Sequence, residues 1–157
     1  MSIQTGTPAP NFSLRDTEKN EISISELKGK NVVLLFFPLA FTSTCTKELC
    51  GVRDNLSFYN DMDATVYGIS VDSLFSLGKF KEEQNLNFSL LSDFNKEAST
   101  AYGTIYENWI LDMNGVAKRS AFVIDKKGVV RYAEVLEHAG DVPDFTAIKQ
   151  CLQDINN

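Results

Sequence analysis

The chain has 157 residues, 43% of them hydrophobic and 23% charged, which suits one soluble globular domain over 1–157 and leaves no room for a second core. Fifteen Lys plus Arg against twenty-one Asp plus Glu give a net charge of −6, which argues against a nucleic-acid surface and against docking on an anionic membrane leaflet. No apolar run approaches the ~20 residues of a membrane span, and the first residues lack the basic and apolar blocks of a signal peptide.

In chain order, residues 11–14 and 21–24 read as a small N-terminal β-hairpin. Val32-Val-Leu-Leu-Phe-Phe37 is an unbroken apolar run closed by Pro38, the pattern of a strand buried on both sheet faces. A helix is expected over about 43–59, with its inward stripe at Leu49, Val52, Leu56 and Tyr59. Residues 65–71 read as a second central strand. Next come a helix over 74–84, N-capped by Ser73, and a shorter strand over 88–91. A short helix over 96–102 stops at Gly103. Strands 120–124 and 129–132 flank a turn at 125–128, and a final helix over 144–155 carries a stripe at Phe145, Ile148, Leu152 and Ile155. The class is α/β. Strand–helix–strand followed by a hairpin and a helix is the thioredoxin-like plan, a central mixed β-sheet flanked by helices. The N-terminal hairpin is then an extension, and 73–105 contains an insertion.

Three cysteines, Cys45, Cys50 and Cys151, and one histidine, His138, carry the candidate chemistry. An odd count with two cysteines five apart is no secreted disulfide framework, so a cytoplasmic protein with a reactive or metal-binding thiol is expected. Cys45 follows the most buried strand, where ligands bind in open α/β sheets, and falls in the first turn of a helix. Free N–H groups and the positive dipole end there favour a thiolate over a thiol. Four residues before Leu49, its sulfur is directed at the sheet, on the floor of a pocket. Thr42 can offer a hydroxyl to the sulfur or to a bound oxygen.

Pro38-x-x-x-Thr42-x-x-Cys45 resembles the peroxiredoxin active-site motif. Glu48 follows the cysteine by three, Arg119 precedes the strand Phe122-Val-Ile-Asp125, and the likeness runs from Pro8-Ala-Pro-Asn-Phe12 to the hairpin. The segment Phe36-Phe-Pro-Leu-Ala-Phe-Thr42 is similar to the alkyl hydroperoxide reductase E subgroup, many members of which use one cysteine. A second cysteine five positions on is instead the habit of the Q type, the bacterioferritin comigratory proteins. The chain shares marks of both.

The resemblance implies a thiol peroxidase with no cofactor or metal and with Cys45 as the peroxidatic nucleophile. It implies that Arg119 holds a fixed positive charge beside the sulfur. Arg119, the Thr42 hydroxyl and backbone N–H groups near Thr44 and Cys45 would bind the two peroxide oxygens, and Pro38 would screen the thiolate from water. Glu48 either orients an arginine or serves as an acid near the helix start. The partners implied are a peroxide, thioredoxin or another thiol reductant, and a second copy in a homodimer faced by Phe41, Phe75 and Trp109.

Cys50 is the candidate resolving thiol. Five residues along a helix are about 7.5 Å of rise and about 140° of net rotation, whereas a disulfide needs Cα atoms within ~4.4–6.8 Å. The bond therefore requires residues near 44–55 to unwind, and Gly51 weakens the helix there. A one-cysteine peroxidase resolved by an external thiol and a redox sensor passing oxidation to a partner are the alternatives. Cys151 and His138 read as a partly buried helix residue and a surface histidine. A structural metal site finds no matching ligand spacing. A Cys–His hydrolase would rest on a loop histidine, and dithiol exchange would need a cysteine where Thr42 stands.

Overall fold

The structure is a computed structural model and describes residues 3–156. Seven strands form one sheet: β1 (Ser13–Asp16), β2 (Glu21–Ser23), β3 (Asn31–Phe36), β4 (Ala64–Ser70), β5 (Ser89–Ser92), β6 (Ser120–Ile124) and β7 (Val130–Val135). Their spatial order is β2-β1-β5-β4-β3-β6-β7. β3, β4 and β5 run parallel, joined by helical crossovers, and every other pairing is antiparallel. The helices are α1 (Ser43–Asp54), α2 (Leu56–Asp61), α3 (Leu74–Gln84), α4 (Glu97–Ala101) and α5 (Phe145–Ile155).

The apolar run of β3 explains its central place. Val33, Leu35 and Phe37 face a core built with Leu49 and Val52 of α1, Phe80 of α3 and Leu152 of α5. Val32, Leu34 and Phe36 face a second core, where the Tyr102 ring meets those of Phe12, Phe36 and Phe122 at 5.1–6.0 Å. A sheet covered on both faces has no use for alternation, so its middle strand shows none. Gly68 of β4 leaves room for its neighbours' side chains: a Cβ there would lie 2.7 Å from Leu90 Cδ2 and 3.3 Å from Phe37 Cε1.

Three expected elements differ. The first strand, expected over 11–14, lies at Ser13–Asp16, because its pairing with β2 starts at Ser13↔Ser23 and with β5 runs through Asp16↔Leu91. The segment expected as one helix over 43–59 is two, broken at Asn55. The Asn55 side-chain amide donates to the Gly51 carbonyl at 2.8 Å and its N–H to the Val52 carbonyl at 3.0 Å, which closes the last turn of α1. β7 continues to Val135 rather than stopping at 132, because its pairing with β6 runs to Ser120↔Val135 past a register shift at Val123/Ile124. The Ser73 cap is present, its hydroxyl accepting the Ser76 N–H at 3.1 Å.

Candidate active site

In the β3–β6 ladder Phe36 lies opposite Ser120. The pairing therefore brings Arg119, one residue earlier, beside the loop that leaves β3. Phe37 still donates to the Ile69 carbonyl at 2.9 Å, and buried Pro38, which has no N–H, ends the ladder. Phe41 then adopts a left-handed backbone with φ 69°, a conformation disfavoured for a bulky residue. The loop is pinned against that strain. Asp72 Oδ2 accepts the Ala40 N–H at 2.8 Å and the Ser70 hydroxyl at 2.6 Å, while the Thr42 hydroxyl donates to the Leu39 carbonyl at 2.9 Å. With its proton so committed, the Thr42 oxygen keeps lone pairs for an incoming O–H.

α1 starts at Ser43, so Cys45 lies in its first turn, fully buried and directed at the sheet. Among the described residues no protein acceptor takes the N–H of Thr44 or Cys45. Arg119, 1% exposed, is no solvated strand-end charge. Its Nη2 lies 3.1 Å from Cys45 Sγ, and its Nη1 donates to Glu48 Oε1 at 2.7 Å. Nε and Nη2 both donate to the Ala139 carbonyl, at 3.1 and 3.0 Å. A planar fork held on three sides fixes one N–H on the sulfur. Chemically, this sets the Cys45 sulfur against a fixed cation, with spare donors nearby for negative charge that develops on an attacked oxygen.

Burial opposes the Arg119 charge, but Glu48 and Cys45 more than compensate, so the guanidinium stays above its ordinary value. Glu48 pairs with this arginine and lies beyond the first turn of α1. Burial pushes its carboxyl from 4.5 to about 7, with the Arg119 charge pulling the other way, and its Oε2 has no partner. Burial thus weighs against a full carboxylate at Glu48, while the Arg119 guanidinium weighs for it. The folded chain keeps a proton on Glu48 that the unfolded chain releases near pH 4.5. The stability this proton contributes is complete below pH 4.5 and is lost as pH rises through about 7. Glu48→Gln is expected to flatten that decline in urea unfolding between pH 4.5 and 7; an unchanged slope contradicts the assignment.

The other candidates are spread around this centre. Cys50, half-buried, faces α3 and its Sγ lies 3.5 Å from Gln84 Oε1, away from Cys45. Burial, together with Asp154, pushes the half-buried Cys151 thiol up. His138 is exposed on an open depression of about 620 Å³ shared with Tyr106, Trp109 and Ile110. Phe41 and Phe75 are exposed as expected. Trp109 is not: it is half-buried and stacked on Tyr106 at 6.0 Å, because an indole that can lie flat on a neighbouring ring removes apolar area from water. Among the described residues no group of three or more His, Cys, Asp or Glu is arranged to hold a metal ion. None of their helices is long and apolar enough to cross a membrane.

Two contributors lie outside the sequence motif. The Ala139 carbonyl has no side-chain signature. Asp72 had one, a carboxylate just past the end of a central strand, where sites gather in such sheets. Asp72→Ala is expected to slow reaction with peroxide about tenfold by loosening the Leu39–Thr42 loop. Asp72→Asn, which keeps an acceptor, should recover most of the rate; equal losses in both variants contradict a positioning role.

A mixed sheet with helix-borne thiol chemistry beyond its central strand defines a thioredoxin-like protein. The AhpC/TSA family profile matches residues 5–133, and the chain belongs to that family, the peroxiredoxins. It is 35% identical to peroxiredoxin Bcp of Bacillus subtilis, with 90% of this chain and 93% of the relative covered. It is 37% identical to alkyl hydroperoxide reductase E of Mycobacterium bovis, over 90% of this chain and 91% of the relative. The crystal structure of peroxidoxin BcpB from Mycobacterium tuberculosis superposes with a TM-score of 0.85 at 30% identity, covering 98% of each chain. The fold is thioredoxin-like and the protein is a thiol peroxidase, an oxidoreductase that takes a peroxide as substrate and a thiol as reductant.

Proposed function

We propose that Cys45 is the peroxidatic nucleophile and Cys50 its resolving thiol. The Cys45 thiolate attacks one peroxide oxygen and the O–O bond breaks. The sulfur becomes a sulfenic acid, and the other oxygen leaves as alkoxide or hydroxide, which takes a proton from water. Arg119 Nη2 stays on the sulfur side of the reacting pair, and the N–H groups of Thr44 and Cys45 stabilise the charge passing between the oxygens. The Thr42 oxygen accepts the peroxide O–H and so orients it. Pro38 covers the sulfur without competing for it as a donor, and Glu48 with Ala139 holds the guanidinium in plane. The observation that carries this reading is the 3.1 Å contact of a buried guanidinium with a buried cysteine in the first turn of a helix.

The sulfenic acid then condenses with the Cys50 thiol, releasing water and forming a disulfide. α1 must unwind for this, since the intact helix holds the two cysteines apart. A dithiol donor of the thioredoxin type, acting in the cytoplasm, returns both thiols. We assign the homodimer face to the exposed Phe41 and Phe75 beside the active-site loop. Mass mapping of reduced protein after one equivalent of hydrogen peroxide tests the cycle. A Cys45–Cys50 disulfide is expected; Cys45 found only as sulfenic acid or as a mixed disulfide would favour a one-cysteine cycle.

A further inference from the structure

The end of α1 is fastened to the turn that joins α3 to β5 by groups belonging to both helix ends. The Gln84 carbonyl is among the last of α3, and the Arg53 guanidinium donates to it through Nη1. The Arg53 carbonyl is among the last of α1, and Asn87 Nδ2 donates to it at 3.2 Å. Between them lies Cys50, its Sγ 3.5 Å from Gln84 Oε1. The turn is itself rigid: Asn85 is left-handed at φ 52°, and the Leu86 N–H returns to the Lys81 carbonyl at 3.0 Å, the six-to-one bond of a Schellman closure.

The Arg53 and Asn87 contacts join the turn to the helical end of α1, so they depend on that end keeping its place. The segment between the clasp and Cys45 contains Gly51, where a Cβ would meet nothing within 4 Å, so that residue adds no packing to hold the helix. Leu49 and Val52 are buried, and their exposure sets most of what unwinding costs. The clasp adds a polar increment, and that increment can change without touching either core.

We propose that the Gln84–Asn87 turn is a clasp that positions Cys50 and sets how readily oxidised Cys45 is resolved before a second peroxide reaches it. This rests on the reading of Cys50 as the resolving thiol. The clasp stabilises the dithiol form and is absent from the disulfide form, so weakening it shifts the equilibrium toward the disulfide. It also hastens the condensation of Cys45–SOH with Cys50–SH relative to the competing step, in which a second peroxide converts the sulfenic to a sulfinic acid. Arg53 and Asn87 are thus positioning residues that touch neither reacting sulfur nor the peroxide, while of these groups Gln84 contacts only the Cys50 thiol.

The experiment compares wild type with Asn87→Ala, Arg53→Ala and Val130→Ala, the last a destabilising change in the opposite core. Two quantities are read: the dithiol–disulfide equilibrium against a glutathione buffer, and the peroxide concentration that converts half of Cys45 to sulfinic acid. For one lost hydrogen bond, both should rise about threefold to tenfold in Asn87→Ala, move the same way in Arg53→Ala, and stay near wild type in Val130→Ala. If the wild type forms no Cys45–Cys50 disulfide, the reading of Cys50 falls and the clasp with it. If that disulfide forms but Asn87→Ala leaves both quantities unchanged, or Val130→Ala shifts them equally, the clasp alone is overturned.

Discussion

Arg119→Ala is expected to slow the reaction of Cys45 with hydrogen peroxide by about three orders of magnitude. The substitution removes the cation 3.1 Å from the sulfur and frees the Ala139 carbonyl and Glu48 that held it. A single preorganised donor aimed at developing charge is worth about 10²–10³ in rate, and here the full positive charge goes as well. Arg119→Lys should recover part of the loss, since an ammonium restores charge but cannot reach Sγ, Glu48 and the Ala139 carbonyl from one plane. Stability should fall less than the removal of half a buried ion pair would suggest. Glu48 is already pushed up to about 7 and can take a proton instead of remaining a bare buried anion. Stopped-flow oxidation paired with thermal unfolding checks both parts. A rate within tenfold of wild type in Arg119→Ala would remove Arg119 from the site.

Cys50→Ser should separate the two halves of the cycle. Cys50 lies on the α3 side of α1 with its sulfur at Gln84, so the substitution leaves the surroundings of Cys45 intact and the first oxidation should proceed. Turnover with a dithiol donor should fall by about a hundredfold or more, because the sulfenic acid is then buried and has no internal partner. Sulfinic acid should accumulate on Cys45 at peroxide levels the wild type survives. Steady-state assays beside intact-mass analysis read both effects. Undiminished turnover in Cys50→Ser would show that an external thiol resolves Cys45 directly.

Much of this was legible in the residues. The run Val32–Phe37 gave away β3 within one residue, because a strand buried on both faces has an apolar pattern few other elements share. The spacing from Pro38 to Cys45 marked the loop and the helix start, where backbone geometry ties residue type to position. Arg119 is harder: seventy-four residues separate it from Cys45, and only the β3–β6 register brings them together. Without the family motif, a strand-end arginine looks like any surface charge. The break at Asn55 was hidden because its apolar stripe continues through Leu56 and Tyr59, while the interruption comes from one side-chain amide taking a backbone carbonyl. The Ala139 carbonyl acts through backbone alone, which no residue type records, whereas Asp72 was marked only by its place just past the end of β4.

The most direct test is rapid mixing of reduced protein with hydrogen peroxide, following peroxide loss in wild type and Cys45→Ser, with the mass of each product taken at the end of the fast phase. Wild type is expected to consume one equivalent rapidly and to end as a Cys45–Cys50 disulfide. Cys45→Ser should show no fast phase, although Cys50, Cys151 and Arg119 are all still present. Fast consumption that survives the loss of Cys45 would remove Cys45 as the nucleophile.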